Sequence, residues 1–228
     1  EVGLFLGHGR GADNGDPAWS TQTAAAIESI VRSGYRQFLF PPPIEGEQSS
    51  YDWSFLKPMA TMTLASATAV VLLPEDFGGF EGQVLASVSG QCSFPVNLMG
   101  VGQVYAKAAA MPSTTGAPQM VCLEPLKGTG ARVQRFQLRF WPTADQAYTL
   151  QFQYYVAPDA LIDSFPHHMG GMMHSETVLE SCLAIAEQRV DDASSVHTAK
   201  FMERLIASVN LDRRSKPQTL GYNRDNSD

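Results

Sequence analysis

The chain has 228 residues, of which 44% are hydrophobic and 17% are charged, and its formal net charge is −7. This apolar content excludes an intrinsically disordered chain, and the length suffices to bury one large or two small hydrophobic cores. Proteins bind nucleic acids and anionic membranes through clustered Lys and Arg. The net negative charge therefore argues against a protein that binds a nucleic acid or an anionic membrane through its overall electrostatic field. Globular domains usually carry about 25% charged residues, so the low charged fraction suggests that a partner covers part of the surface.

The apolar runs are short and the cysteines are few. The run at residues 70–73 is far below the roughly 18–20 apolar residues that a membrane span needs, which predicts a soluble chain. Cys92, Cys122 and Cys182 are too scattered for a disulfide framework, so reduced cytosolic thiols are expected. The chain begins at Glu1 rather than with methionine, so the sequence leaves open whether a leader precedes it.

The N-terminal part of the chain is predicted to be an arm followed by one helix. Residues 1–19 are rich in Gly, Asp and Asn, which favours an extended arm. A hydroxyl at residue 20 or 21 can cap a helix, and apolar residues follow at helical spacing. Gly34 is a possible C-cap and Pro41-Pro42-Pro43 stops the helix, so we place it at about residues 20–38.

A β-rich region follows the polar loop after this helix. Its short apolar segments are separated by Gly and Pro, which is typical of an antiparallel sandwich or small barrel. In two segments every second residue is apolar, namely Phe136, Leu138 and Phe140, and then Tyr148, Leu150, Phe152 and Tyr154. The predicted strands are 61–65, 68–73, 83–88, 95–99, 103–107, 119–126, 133–141 and 147–157.

Two further helices are predicted after Pro158, at residues 177–190 with Ser175 as cap and at residues 195–211. The short connection between them favours an antiparallel hairpin. Residues 213–228 are polar and aperiodic, which predicts an extended arm. The expected core positions are Val178, Leu179, Cys182, Leu183, Ala186 and Val190, then Val196, Phe201 or Met202, Leu205, Ile206 and Val209.

We therefore predict an α+β protein. Residues 20–58 and 158–212 form a small helical bundle, made of the N-terminal helix and the C-terminal hairpin. Residues 59–157 form a large antiparallel β-sandwich or barrel-like insertion, and residues 1–19 and 213–228 are extended arms. Isolated helices of this length are marginal in water, which is why the three helices are expected to pack together.

Two patterns invite a catalytic or cofactor-binding interpretation. The turn Gly7-His8-Gly9-Arg10-Gly11-Ala12 looks like a dinucleotide-binding motif, but the helix start that this motif requires does not follow it. His167, His168 and His174 could offer imidazoles to the metal of a hydrolase, but a structural zinc site takes four ligands and the cysteines lie far away in sequence. There is no Gly-x-Ser-x-Gly elbow for nucleophilic catalysis. We therefore predict no enzyme activity, no cofactor and no metal site.

The segment Tyr51-Asp52-Trp53-Ser54-Phe55-Leu56 is a dense aromatic cluster. We interpret Trp53, Phe55 and Leu56 as an anchor that joins the helical domain to the first strand, because aromatic side chains bury large areas. The alternative is a carbohydrate-stacking platform.

Four short segments are distinctive when they are taken together. They are Gly34-Tyr35-Arg36-Gln37-Phe38 before a proline run, Tyr51-Asp52-Trp53-Ser54-Phe55-Leu56, Met172-Met173-His174-Ser175-Glu176-Thr177 and Leu220-Gly221-Tyr222-Asn223-Arg224-Asp225. These segments resemble the head-to-tail adaptor, or connector, proteins of tailed bacteriophages. The order of helical domain, β insertion after a Trp-x-Phe segment, helical hairpin and C-terminal arm is similar too, and the likeness covers most of the chain from about residue 20.

The resemblance implies a structural virion protein without catalytic activity. Such adaptors form a ring, usually a dodecamer, beneath the portal of the capsid, where they extend the DNA channel and provide a docking surface for the tail. The implied partners are neighbouring copies, the portal protein and tail or tail-tube proteins. DNA would pass through the channel without sequence-specific binding, and no membrane would be involved. The chain would be made in the host cytoplasm and reside in the virion neck. The residues that would contact the portal are Leu220, Gly221, Tyr222, Asn223, Arg224 and Asp225.

A second interpretation is a β-sandwich virion module that binds a receptor or glycan, with Trp53, Tyr105 and Trp141 exposed.

Between residues 60 and 130 the charged residues are only Glu75, Asp76, Glu81, Lys107, Glu124 and Lys127. This charge-poor stretch is where we expect neighbouring subunits to cover the surface.

Overall fold

The computed structural model describes residues 1–12, 16–44, 48–88, 91–127, 134–158, 161, 167–191 and 196–215. The chain forms two compact units, a helical unit of Glu1–Leu56 and Ala160–Asp228 and a β unit of Lys57–Asp159. The predicted α+β class with a barrel-like β insertion is confirmed.

Five helices and nine strands lie in the described ranges. The helices are α1 (Val2–Phe5), α2 (Thr21–Leu39), α3 (Val101–Ala110), α4 (Ser175–Asp191) and α5 (Val196–Ser215). The strands are β1 (Met59–Leu64), β2 (Val70–Leu72), β3 (Phe77–Ser87), β4 (Phe94–Leu98), β5 (Thr115–Gly116), β6 (Met120–Lys127), β7 (Gln134–Trp141), β8 (Thr143–Ala144) and β9 (Tyr148–Val156). Short 3-10 helices cover Ser54–Leu56 and Met172–His174.

Helix α2 begins at a hydroxyl cap, as the sequence predicts. The side chain of Ser20 accepts a hydrogen bond of 3.1 Å from the backbone N–H of Thr23. The helix passes through Gly34 and ends at Leu39, so the interpretation of Gly34 as a C-cap is wrong. Its end is set by the proline run that starts at Pro41, because proline disfavours a helical conformation in the residue before it.

Helix α4 crosses α2 directly over Gly34. A Cβ atom at Gly34 would lie 2.5 Å from Cys182 Cα and 2.7 Å from Cys182 N. The Ser181 hydroxyl donates a hydrogen bond of 2.8 Å to the Gly34 carbonyl oxygen at the same crossing. Burial raises the pKa of Cys182 to about 12, so its thiol stays protonated at neutral pH. The backbones of α2 and α4 can therefore approach this closely only because Gly34 has no side chain.

Replacing Gly34 with alanine is expected to lower the free energy of unfolding by about 1–3 kcal/mol, because the backbone of α4 must move away from the added methyl group. Gly102 in α3 is the matched control, since nothing lies within 4 Å of the Cβ position there. Gly102→Ala should be neutral or stabilising by up to about 1 kcal/mol. Urea unfolding followed by circular dichroism measures both variants, and equal effects would contradict the close crossing.

The prediction of an extended N-terminal arm is wrong for residues 1–12. Helix α1 occupies Val2–Phe5 and contacts α2 and α4, with Val2 buried. The Trp19 indole N–H donates a hydrogen bond of 3.0 Å to the His8 carbonyl oxygen and holds the glycine turn in place. This turn follows helix α1 rather than a strand, so it lacks the strand-turn-helix geometry of a dinucleotide site.

The β unit is built on one seven-stranded sheet in the order β1-β9-β3-β4-β6-β7-β2. Neighbouring strands are antiparallel except β4 and β6, which pair in parallel, so the predicted antiparallel arrangement is wrong for that pair. The edge strands β1 and β2 contact each other, and the sheet therefore comes close to closing as a barrel. Strands β5 and β8 form a separate parallel pair.

The period-two pattern of β9 shows which of its side chains lie in the core of the β unit. Tyr148, Leu150, Phe152 and Tyr154 are buried, whereas the residues between them are more exposed, as predicted. Strands β1 and β3 pair with β9 on its two sides. The predicted alternation therefore marks a strand that turns one face into this core.

Residues 103–107 are predicted as a strand but lie in α3, and this prediction is wrong. The backbone N–H of Gly100 donates a hydrogen bond of 3.3 Å to the Gln103 side chain at the start of the helix. Three consecutive alanines, with the highest helix propensity, complete it. Within α3 only Val104 is buried, so this helix lies on the surface of β6 and β7.

The apolar stripes of α4 and α5 are confirmed in part. The buried residues that the periodicity predicts are Val178, Cys182, Leu183 and Ala186 in α4 and Phe201, Leu205 and Val209 in α5. Three other predicted core positions are exposed, namely Val190 (62%), Val196 (59%) and Ile206 (45%). Helical periodicity gives the direction of a stripe but not how far the neighbouring helices cover it.

Candidate functional site

The residues predicted to contact a portal lie outside the described residues. They are Leu220, Gly221, Tyr222, Asn223, Arg224 and Asp225, and the last described residue of α5 is Ser215. Their assignment therefore stays a prediction.

Trp53 lies at the centre of an aromatic cluster in the helical unit. Its side chain is fully buried, and its ring centroid lies 4.9 Å from that of Phe38, 5.3 Å from Phe55 and 5.3 Å from His174. The indole N–H donates a hydrogen bond of 2.9 Å to the Phe38 carbonyl oxygen, so the apolar and polar parts of the side chain are both satisfied. This burial excludes a carbohydrate platform at Trp53. The predicted role of Trp53, Phe55 and Leu56 as a link to the first strand stays a prediction.

Asp212 is a buried carboxylate that joins the C-terminal end of α5 to Tyr51 and to Ser54, the first residue of the 3-10 helix Ser54–Leu56. Its Oδ2 accepts hydrogen bonds from the Tyr51 hydroxyl at 2.7 Å and from the Ser54 backbone N–H at 3.0 Å. Its Oδ1 accepts from the Ser54 hydroxyl. Burial raises the pKa of Tyr51, and the hydrogen bond to Asp212 raises it further, so the phenol remains a donor.

The sequence analysis missed Asp212, although one signal was present. A carboxylate in the last turn of a helix faces the negative end of the helix dipole, which is unfavourable. Asp212 lies in the last turn of α5 and is only 6% exposed. A buried acid at such a position needs specific donors, and Tyr51 and Ser54 supply them.

The three histidines of the hypothetical metal site have separate roles. His167 is exposed. His168 Nδ1 lies 2.9 Å from the Met169 carbonyl oxygen and its Nε2 lies 2.9 Å from Ser175 Oγ, so both ring nitrogens are engaged. His174 is buried in the aromatic cluster. Within the ranges given above, no group of three His, Cys, Asp or Glu side chains is placed to hold a metal ion.

The acidic side chains of the charge-poor stretch are each engaged by a neighbour in the β unit. The contacts are Glu81 with Lys57 at 3.0 Å, Glu75 with Arg135 at 2.7 Å, Asp76 with the Tyr154 hydroxyl at 3.2 Å and Glu124 with Arg139 at 2.7 Å. Three of these four acids are therefore paired with cations that lie outside the stretch, and Asp76 accepts a hydrogen bond from a neutral hydroxyl.

Glu124 is the most buried of these acids and lies on β6, the strand against which α3 packs. In addition to its ion pair with Arg139, it accepts a hydrogen bond of 2.5 Å from the Gln137 side chain. Burial alone would raise the pKa of Glu124, but the hydrogen bonds from Arg139 and Gln137 outweigh it and lower the pKa, so the carboxylate stays ionised at neutral pH. The Arg139 guanidinium also lies 4.9 Å over the Tyr105 ring, so this arginine is engaged within its own unit.

Exposed apolar side chains accumulate around α3. They are Leu98 (51%), Met99 (37%), Val101 (41%), Tyr105 (47%) and Met111 (50%), which we call the α3 surface. A groove of about 500 Å³ beside it is lined by Met99, Gln103, Ala106, Lys107, Ala110 and Met120. Monomeric soluble proteins seldom expose large apolar patches, and those that exist usually mark an interaction site.

No protein-family model matches the chain, and no curated protein matches it. Among the described residues, no helix is both long and apolar enough to cross a membrane. The fold defines an α+β protein with a barrel-like β insertion.

Proposed function

We propose that the chain is a structural subunit of the neck of a tailed bacteriophage, a head-to-tail adaptor that forms a ring beneath the portal, extends the DNA channel and provides a docking surface for the tail. The proposal includes no catalytic step and no cofactor. It is supported by the architecture, because a β unit interrupts the helical unit after the Trp53 segment and the α4–α5 hairpin completes it. This order is the one that the resemblance to adaptor proteins implies.

The α3 surface is the observation that carries the proposal. Its exposed side chains are aromatic, aliphatic or thioether groups, and the acids nearby in sequence are compensated within the β unit. Cores of subunit interfaces are depleted in charge and enriched in Met and aromatic residues. A ring in which each copy covers part of its neighbour would remove such a surface from water.

The charge of the chain supports passage of DNA without binding. At a formal net charge of −7 the subunit repels the phosphate backbone rather than neutralising it. Arg135 and Arg139, which could contact phosphates, pair with Glu75 and Glu124 instead. A channel built from such subunits lets DNA slide.

The test is to add the purified chain to portal-bearing heads that lack it and to measure the mass of the complex. We expect about twelve copies to bind each head as a closed ring, which is the ring size that the resemblance to adaptor proteins implies. A chain without residues 216–228, which include the predicted portal contacts, should stay folded and fail to bind. The matched control keeps these residues in shuffled order and should also fail. Wild-type binding by the truncated chain would contradict the portal contact, and failure of the full chain to bind would contradict the adaptor function.

Val101→Asp tests the α3 surface in the same experiment. The substitution puts a charge on the exposed surface, while a carboxylate in the first turn of α3 favours the helix dipole, so the fold should be retained. We expect occupancy of the ring to fall at least about tenfold. Val196→Asp is the matched control, because Val196 is also an exposed valine at the first position of a helix. Equal losses for the two variants would remove the α3 surface from the proposal.

The glycan-binding alternative gains no support from the aromatic residues that it requires. Trp53 is fully buried rather than exposed. One face of the exposed Tyr105 ring has the Arg139 guanidinium 4.9 Å from its centroid, and Trp141 is half-buried with Lys107 Nζ 5.8 Å from its ring centroid. Quenching of tryptophan fluorescence by sugars would favour this alternative and count against the adaptor.

A further inference from the structure

His174 is enclosed by aromatic rings inside the helical unit. Its side chain is 2% exposed, and its ring centroid lies 5.3 Å from that of Trp53, 5.7 Å from Phe55 and 5.9 Å from Phe38. We call these three rings the histidine pocket. The proposed function makes no use of this residue.

The pocket does not satisfy both ring nitrogens of a charged imidazole. Nδ1 of His174 is buried and has no hydrogen-bond partner among the residues that the structure describes. A neutral imidazole can leave this nitrogen as an unprotonated acceptor, whereas a protonated one carries an N–H on both nitrogens. Protonation would therefore place a positive charge and an unpaired donor among apolar rings.

The titratable groups around the pocket do not offset this cost. Asp212 of α5 attracts a positive charge, but it already accepts a hydrogen bond from Tyr51 of the segment before the 3-10 helix. His168 repels a positive charge, and Tyr35 of α2 is engaged by a backbone N–H at 3.0 Å. Burial is the largest influence and keeps the pKa of His174 below its ordinary value of 6.5.

His174 also ends a short segment, residues 167–174, that lies against the pocket. Gly170 has a φ of +93° and is so close that a Cβ there would lie 2.8 Å from Phe55 Cε1 and 3.0 Å from His174 Cδ2. In the 3-10 helix that follows, Met172 is 83% exposed and Met173 67% exposed, and His174 is its buried residue. The imidazole is therefore the side chain by which this helix is held.

We propose that His174 is an acid-released latch: the neutral imidazole holds residues 167–174 against the aromatic rings, and protonation drives it out and frees this segment. Once released, the imidazole takes up a proton near its ordinary pKa of 6.5, whereas inside the pocket it does so only at lower pH. The released state thus binds more protons, and the latch weakens as the pH falls from about 6.5 toward the pKa inside the pocket. The latch is independent of the adaptor function.

An NMR titration of the histidine ring protons in the full chain is the first test. We expect one histidine, assigned through His174→Phe or through contacts to the Trp53 ring, to titrate below 6.5. A His174 that titrates at or above that value would overturn the proposal. This measurement needs only the wild-type protein when the assignment uses the Trp53 contacts.

Hydrogen exchange, corrected for its intrinsic pH dependence, is the second test. Between about pH 7.5 and about pH 5 we expect the opening of residues 167–174 to rise at least about tenfold, while α2 and α5 keep their protection. His174→Phe fills the pocket with an uncharged ring and should remove the response. His167→Gln, at an exposed position in the same segment, should retain it. Loss of protection in α2 and α5 at the same pH as the segment, or a response that persists in His174→Phe, would overturn the latch.

Discussion

Replacing Trp53 with alanine is expected to lower the free energy of unfolding by about 3–5 kcal/mol, the largest effect that we expect from one side chain. The substitution removes a fully buried indole from between Phe38, Phe55 and His174. It also takes the indole N–H away from the Phe38 carbonyl oxygen. Urea unfolding followed by far-ultraviolet circular dichroism measures the loss.

Trp53→Phe separates the two contributions. The phenyl ring refills much of the space, while the hydrogen bond to Phe38 is lost. We expect a smaller loss, of about 1–3 kcal/mol, for this variant. A Trp53→Ala protein within about 1 kcal/mol of the wild type would show that the aromatic cluster does not hold the helical unit together.

Replacing Asp212 with alanine is the second large effect that we expect, at about 2–4 kcal/mol. Its carboxylate accepts hydrogen bonds from the Tyr51 hydroxyl, the Ser54 backbone N–H and the Ser54 hydroxyl. Removal leaves these donors without their acceptor in a buried place, and the small gain from relieving the helix dipole does not offset this. The same unfolding measurement gives the value.

Glu203→Ala is the matched control for Asp212, because Glu203 is an exposed acid on the same helix. We expect it to change the free energy of unfolding by no more than about 0.5 kcal/mol. A double-mutant cycle of Asp212→Ala with Tyr51→Phe should give a coupling of at least about 0.5 kcal/mol, because each removes one end of the same hydrogen bond. Additive effects would count against a direct contact.

Structure that depends on residues close together in sequence was predictable. The alternation from Tyr148 to Tyr154 located β9, because successive side chains of a strand point to opposite faces. The cap of α2 at Ser20 was predictable for a similar reason, since its hydroxyl meets an amide only three residues away. In both cases the interaction that forms the structure is between residues a few positions apart, so the sequence alone shows it.

Helix α3 shows where a local pattern misleads. In residues 103–107 the apolar Val104 and Ala106 alternate with side chains that carry polar groups, as in a strand, while the alanines at 108–110 favour a helix. Strands β6 and β7 pair with each other and leave α3 on their surface, where it buries Val104. The choice between strand and helix therefore depended on whether a place in the sheet was available.

Some features of the candidate sites were visible in the sequence, and others depend on tertiary contacts. The scarcity of charge between residues 60 and 130 is a fact of the sequence, and it drew attention to the stretch that contains the α3 surface. That Glu124 and Arg139 pair beside it is a tertiary contact between different strands. Asp212 and Tyr51 are separated by 161 positions in the chain, so no spacing rule could have joined them.

By itself, the sequence determined the α+β class, the barrel-like β insertion and the charge-poor stretch, because composition and periodicity act over a few residues at a time. Only the tertiary structure decided that Trp53 and His174 share one closed pocket and that the exposed apolar side chains collect around α3. The physical reason is that burial and pairing depend on which distant segments meet. A side chain's chemistry is present in the sequence, but its solvent and its partners are supplied by the fold.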